Sequence, residues 1–151
     1  MTDAATAEQI TRVLERQLDA LSRVLECLGE ERDALLSRDL NQLAQVTERK
    51  NGSLAAVDSL EQQRRELAPS LSVMETLAKS PDVARRWERL LDLTRKCREQ
   101  NESNGRLIRR QRRRVESTLG LLRGEPASPK LYGPDGEQRE KGRPRPPLAS
   151  A

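Results

Sequence analysis

The chain contains no histidine and no phenylalanine, one tryptophan, one tyrosine and two cysteines, Cys27 and Cys97. Each shortage closes off a class of function. Without histidine, the commonest general base and the commonest transition-metal ligand are missing. Neither cysteine has a Cys-x-x-Cys neighbour, so zinc and dithiol chemistry are not expected; each falls on an apolar stripe that suits a small buried side chain. With apolar residues at 34% of the 151, no thick globular core can be built. No run of about eighteen apolar residues occurs, and the first seven residues lack the basic-then-apolar order of a secretion signal. The expectation is a protein of a reducing cytoplasm with no catalysis, no cofactor, no metal and no direct membrane insertion.

What remains is leucine, alanine, glutamate and arginine, a mixture that favours long helices over any sheet. A first helix is expected over residues 6–36, with Ile10, Leu14, Leu18, Leu21, Leu25, Leu28 and Leu35 on one stripe. Ser37, Arg38 and Asp39 interrupt it, and Asp39 with Gln42 has the spacing of a capping box. A second helix over 39–67 carries Leu40, Leu43, Val46, Leu54, Val57, Leu60 and Leu67, with a weak point expected at Asn51-Gly52-Ser53. Pro69 ends it. Leu71, Val73, Met74 and Leu77 suggest a short connecting helix, after which Ser80 and Pro81 open the last and longest one.

That last helix carries the most specific pattern. Val83, Trp87, Leu90, Thr94, Cys97, Asn101, Asn104, Ile108, Gln111, Val115, Thr118 and Leu122 alternate by four and three, the spacing of a coiled-coil seam. The seam turns polar at Thr94, Asn101, Asn104 and Gln111. Such residues either hydrogen-bond inside the chain's own bundle or fix register with a partner, and the spacing alone leaves both open. At 1.5 Å per residue the helix spans roughly 63 Å against about 45 Å for the first. In an up-down-up arrangement, residues 112–123 would extend past the first turn with Val115, Leu119 and Leu122 uncovered, ordering only on a partner. The fold expected is all-α: an elongated antiparallel up-down bundle of three long helices and a short one. It occupies residues 1–123, and a disordered proline- and glycine-rich tail occupies 124–151.

Charge is unevenly divided. Residues 1–82 carry ten basic and fifteen acidic side chains, while residues 83–123 carry thirteen and five. Arg106, Arg109, Arg110, Arg112, Arg113 and Arg114 crowd the last helix. They could lie against the acidic hairpin, steer an acidic partner helix, or grip phosphates. The acidic first helices and the lack of stacking aromatics argue against nucleic acid as the partner. A basic helical nucleic-acid binder stays as the rival reading.

The order of features, Trp87 opening the long helix, Cys97, Asn101-Glu102-Ser103-Asn104-Gly105, Leu107-Ile108 and then Leu131-Tyr132-Gly133-Pro134-Asp135-Gly136, resembles the FlgN family of flagellar export chaperones over about residues 8–140. The resemblance implies a cytoplasmic, substrate-specific chaperone of flagellar type III secretion that holds the hook-filament junction proteins FlgK and FlgL before export, without catalysis. A related chaperone for another flagellar substrate is the nearest alternative. It further implies a substrate-binding surface on Asn101, Asn104, Leu107, Ile108, Gln111, Val115, Leu119 and Leu122. It also implies docking to the export gate protein FlhA through Tyr132 and Gly133. A mostly monomeric protein forming a one-to-one complex with its substrate is expected.

Overall fold

The computed structural model describes residues 4–125 and, further along, the backbone of 131–132 and 138–139. Four helices run in order: α1 (Ala4–Ser37), α2 (Leu40–Leu67), α3 (Leu71–Leu77) and α4 (Pro81–Leu122). The chain divides into two units, Met1–Arg110 and Gln111–Ala151, with the division inside α4.

In the first unit α1 is the central helix, because its apolar pattern is wide enough for two neighbours. Ile10, Leu14, Leu21 and Leu28 join Met74, Leu77, Val83, Leu90 and Cys97 in the core. On an adjacent stripe, Val13, Gln17, Ala20, Cys27, Glu31 and Ala34 are also buried, and here Gln17 and Glu31 bond to α2. The pairs Gln17 with Glu61 and Glu31 with Lys50 run in opposite senses along the two helices, so α1 and α2 are antiparallel. The pairs Leu21 with Cys97 and Leu28 with Asn104 keep one offset, so α4 is parallel to α1. This is the up-down-up bundle. As an outer helix α2 buries only Val46 fully, and Leu40 and Leu54 are exposed.

Helix ends follow their local chemistry. Asp39 caps α2 by accepting from the Gln42 N–H at 3.1 Å. The reciprocal half of the expected capping box is not used, because the Asp39 N–H already donates to the Ala34 carbonyl. That bond closes α1 over Arg38, which takes a left-handed conformation at φ 56°. Ser70 caps α3 through the Val73 N–H, and Pro81 occupies the first position of α4, where a missing N–H costs nothing.

Two of the expectations concern the continuity of a helix. Through Asn51-Gly52-Ser53, α2 is unbroken; a helical glycine costs only about 1 kcal/mol, and the neighbouring Arg49 and Lys50 are tied to Glu30 and Glu31 of α1. In the second unit, where residues 112–123 are expected to order on a partner, α4 is helical to Leu122. Its last turns are rich in arginine and leucine, good helix formers. They close with a Schellman motif: Gly124 at φ 76°, its N–H on the Leu121 carbonyl and the Glu125 N–H on Gly120. In the tail, Leu131–Tyr132 and Gln138–Arg139 form a minimal antiparallel ladder pairing Leu131 with Arg139 and Tyr132 with Gln138. The composition of that segment did not suggest it. The rest of the expected disordered tail lies outside the described residues.

Candidate helix-binding face

A coiled-coil seam has two columns, and α4 buries only one. Val83, Leu90, Cys97 and Asn104, each seven residues from the next, are its only fully buried positions. In the other column Trp87 and Thr94 are half-buried, and Asn101, Ile108, Val115 and Leu122 are exposed. Buried Cys97 donates its thiol to the Leu21 carbonyl at 3.6 Å, and burial pushes that thiol's pKa up, as suits a packing residue. Cys27 is likewise buried and unlinked.

Asn104 belongs to the bundle's own interior. At 1% exposure, its amide nitrogen donates to the Leu28 carbonyl and to Glu31 Oε1, both at 2.9 Å. Its oxygen accepts from Gln100 Nε2 at 3.0 Å. Glu31, also buried, pairs with Lys50 of α2. One network thus joins all three long helices and leaves no polar atom of Asn104 for a partner. Pattern reading missed Glu31, Lys50 and Gln100. The signal was there: Glu31 is a carboxylate on a buried heptad stripe of α1, and a buried charge needs company.

A second tie lies at the other end of the first unit. Gln17 Nε2 donates to Glu61 at 3.1 Å. Glu61 takes Arg64 and Arg65, and the Arg64 guanidinium lies 5.2 Å from the Trp87 ring centroid. Arg64 and its companions hold the Glu61 carboxyl down at a pKa of about 2, against the opposing effect of burial. Together the two networks set the register of α1, α2 and α4.

The remaining site residues are placed as follows. Leu107 is half-buried and Ile108 is 38% exposed, in the first unit. In the second unit Gln111 is half-buried, while Val115, Leu119 and Leu122 are 59%, 43% and 80% exposed. The open column of α4 therefore presents Asn101 and Ile108 in the first unit, and Val115 and Leu122, with Leu119 beside them, in the second. Large exposed apolar side chains at seam spacing are the kind of surface that helix pairing covers. Of the arginines, Arg106, Arg109, Arg110, Arg112 and Arg114 are exposed. By contrast Arg49, Lys50, Arg64, Arg86 and Arg95 are held by carboxylates. Tyr132 lies in the short ladder; Gly133 lies outside the described residues.

A sequence model described as FlgN protein matches residues 1–140, which takes in the whole seam and Tyr132. The chain belongs to the FlgN family. Among curated relatives, the flagella synthesis protein FlgN of Proteus mirabilis is 33% identical over 132 residues, covering 86% of this chain and 90% of that protein. Its counterpart in Salmonella typhimurium is 30% identical over 131 residues, covering 85% and 89%. The Escherichia coli protein is 29% identical over 131 residues with the same coverage. No solved structure matches. FlgN membership places the open column of α4 in a protein of flagellum assembly. Among the described residues no helix is long and apolar enough to cross a membrane, and no cluster of Cys, Asp and Glu is grouped to hold a metal ion.

Proposed function

We propose that this chain is a non-enzymatic chaperone of flagellar type III secretion that works in the cytoplasm by completing a coiled coil with its substrate. The observation that carries the reading is the open column: a seam continued in sequence to Leu122 but covered on one side only. The substrate segment is the amphipathic terminal helix of the hook-filament junction proteins FlgK and FlgL. Left alone in the cytoplasm, such a helix exposes an apolar stripe that self-associates. Ile108, Val115, Leu119 and Leu122 cover that stripe, Asn101 and Gln111 set the pairing, and Leu107 supports it from the half-buried side. Asn104 acts indirectly, by holding α4 against α1.

Delivery is assigned to the tail, where Tyr132 and Gly133 engage the export gate protein FlhA. A lone aromatic among turn-forming residues has the make-up of a linear docking motif. Release must not need a fuel of the chaperone's own. Moderate affinity fits that requirement, with micromolar binding at about −8 kcal/mol.

The test is light scattering after size-exclusion chromatography of the full chain with a junction protein, intact or lacking its terminal helix. A one-to-one complex lost on truncation is expected. Val115→Ser, Leu119→Ser and Leu122→Ser combined should weaken it at least tenfold, with thermal unfolding of the free protein changed little, because these side chains are already exposed. No complex with either form of junction protein would overturn the reading.

A further inference from the structure

Counting heptads from the open column fixes which side chains border the proposed helix interface. With Ile108, Val115 and Leu122 in the open column and Asn104, Gln111 and Thr118 in the other, the bordering positions are Gly105 and Leu107, then Arg112 and Arg114, then Leu119 and Leu121. In coiled coils these positions carry the charges that choose the partner. Arg112 and Arg114 therefore stand one on each side of the seam beside Val115, whereas Arg106, Arg110 and Arg113 lie on the far side of the helix. Both bordering arginines are exposed, and neither enters an ion pair with another described residue. From residue 104 to residue 124 the only acidic residue is Glu116, off the border.

We propose, building on the helix-binding reading above, that the helix received here carries carboxylates on both sides of its own apolar seam, and that Arg112 and Arg114 select it. A phosphate backbone fits the face less well. It would satisfy the guanidinium groups but leave Val115, Leu119 and Leu122 in water, and α4 past Trp87 offers no aromatic ring for a base to stack on. An acidic-bordered amphipathic helix satisfies both the apolar column and its charged border. Its leucines set the lifetime of the complex, and the arginine border sets discrimination and encounter rate.

Two synthetic four-heptad peptides test this, sharing one leucine seam and bordered throughout by Glu or by Lys. They are titrated against the full chain at low and at physiological salt. The Glu-bordered peptide should bind at least about tenfold more tightly at low salt, and the gap should narrow as salt is raised. Arg112→Glu with Arg114→Glu should invert the preference. Arg112→Lys with Arg114→Lys should keep its sign, which separates charge from any effect on folding. Equal binding of both peptides, unmoved by charge reversal, overturns the proposal while leaving the helix-binding reading standing. Failure of both peptides, together with loss of the junction-protein complex, overturns both. If instead a DNA duplex is retained and released by the charge reversal, the arginines belong to a phosphate site and the proposal is wrong.

Discussion

Arg38 shows how a single residue can work against the fold it sits in. It is the only non-glycine among the described residues with positive φ, and it has that conformation because the Asp39 N–H must reach back to Ala34 to close α1. A left-handed conformation costs a side-chain-bearing residue roughly 1–2 kcal/mol, and glycine nothing comparable. Glycine also loses more entropy on folding, which offsets part of the gain. Arg38→Gly is therefore expected to stabilise the protein by about 0.5–1 kcal/mol, read as a higher midpoint in urea with an unchanged slope; a lower midpoint would show that Arg38 makes a compensating contact. Gln17 presents the opposite case. Its amide nitrogen is spoken for by Glu61, which leaves its oxygen buried without a protein partner. The bundle bears that cost to keep Glu61 tied to α1.

At the scale of elements, the Glu61 tie gives the bundle a pH dependence of defined sign. Its carboxyl is held at about 2 in the folded protein against an ordinary 4.5. A depressed carboxylate contributes stability that is whole above the unfolded value and is lost as pH falls through the folded one. Unfolding midpoints of the wild type and of Glu61→Gln should therefore differ by a constant amount above about pH 5 and converge between 4.5 and 2. A gap that keeps its full size down to pH 2 would mean that Glu61 acts through shape and not charge. The elements themselves were legible in sequence because leucine periodicity, Pro69, Ser80-Pro81 and Gly124 each have one local meaning. What sequence left open was the identity of partners across the bundle. Asn104 and Asn101 look alike as seam residues, yet the first is at the heart of a network with Glu31 and the second is exposed. Spacing within one helix cannot say which column faces α1; only the parallel register of α4 on α1 decides it.

For the whole molecule, the division of labour follows from where apolar surface is covered. α1 has neighbours on two stripes, whereas α4 has a covered column that ends in Asn104 and an open column that runs on to Leu122. Within the first unit α1 holds α4 at Leu21 with Cys97 and at Leu28 with Asn104, and α4 has no buried residue after Asn104. The nine residues from Arg114 to Leu122 are by themselves fewer than the dozen or so that an isolated helix needs to be stable in water. They must draw on helix propensity, the Gly124 cap and continuity with the rest of α4. Hydrogen exchange should then be graded along the chain: slowest for the α1 amides of residues 14–28, and far faster for residues 114–122, where opening requires no loss of buried contacts. Adding a junction protein should slow the second group and leave the first nearly unchanged, since the complex would supply the missing side of the seam. If residues 114–122 exchange as slowly as 14–28 in the free protein, the open column is already closed by something else. A partner would then have to bind elsewhere.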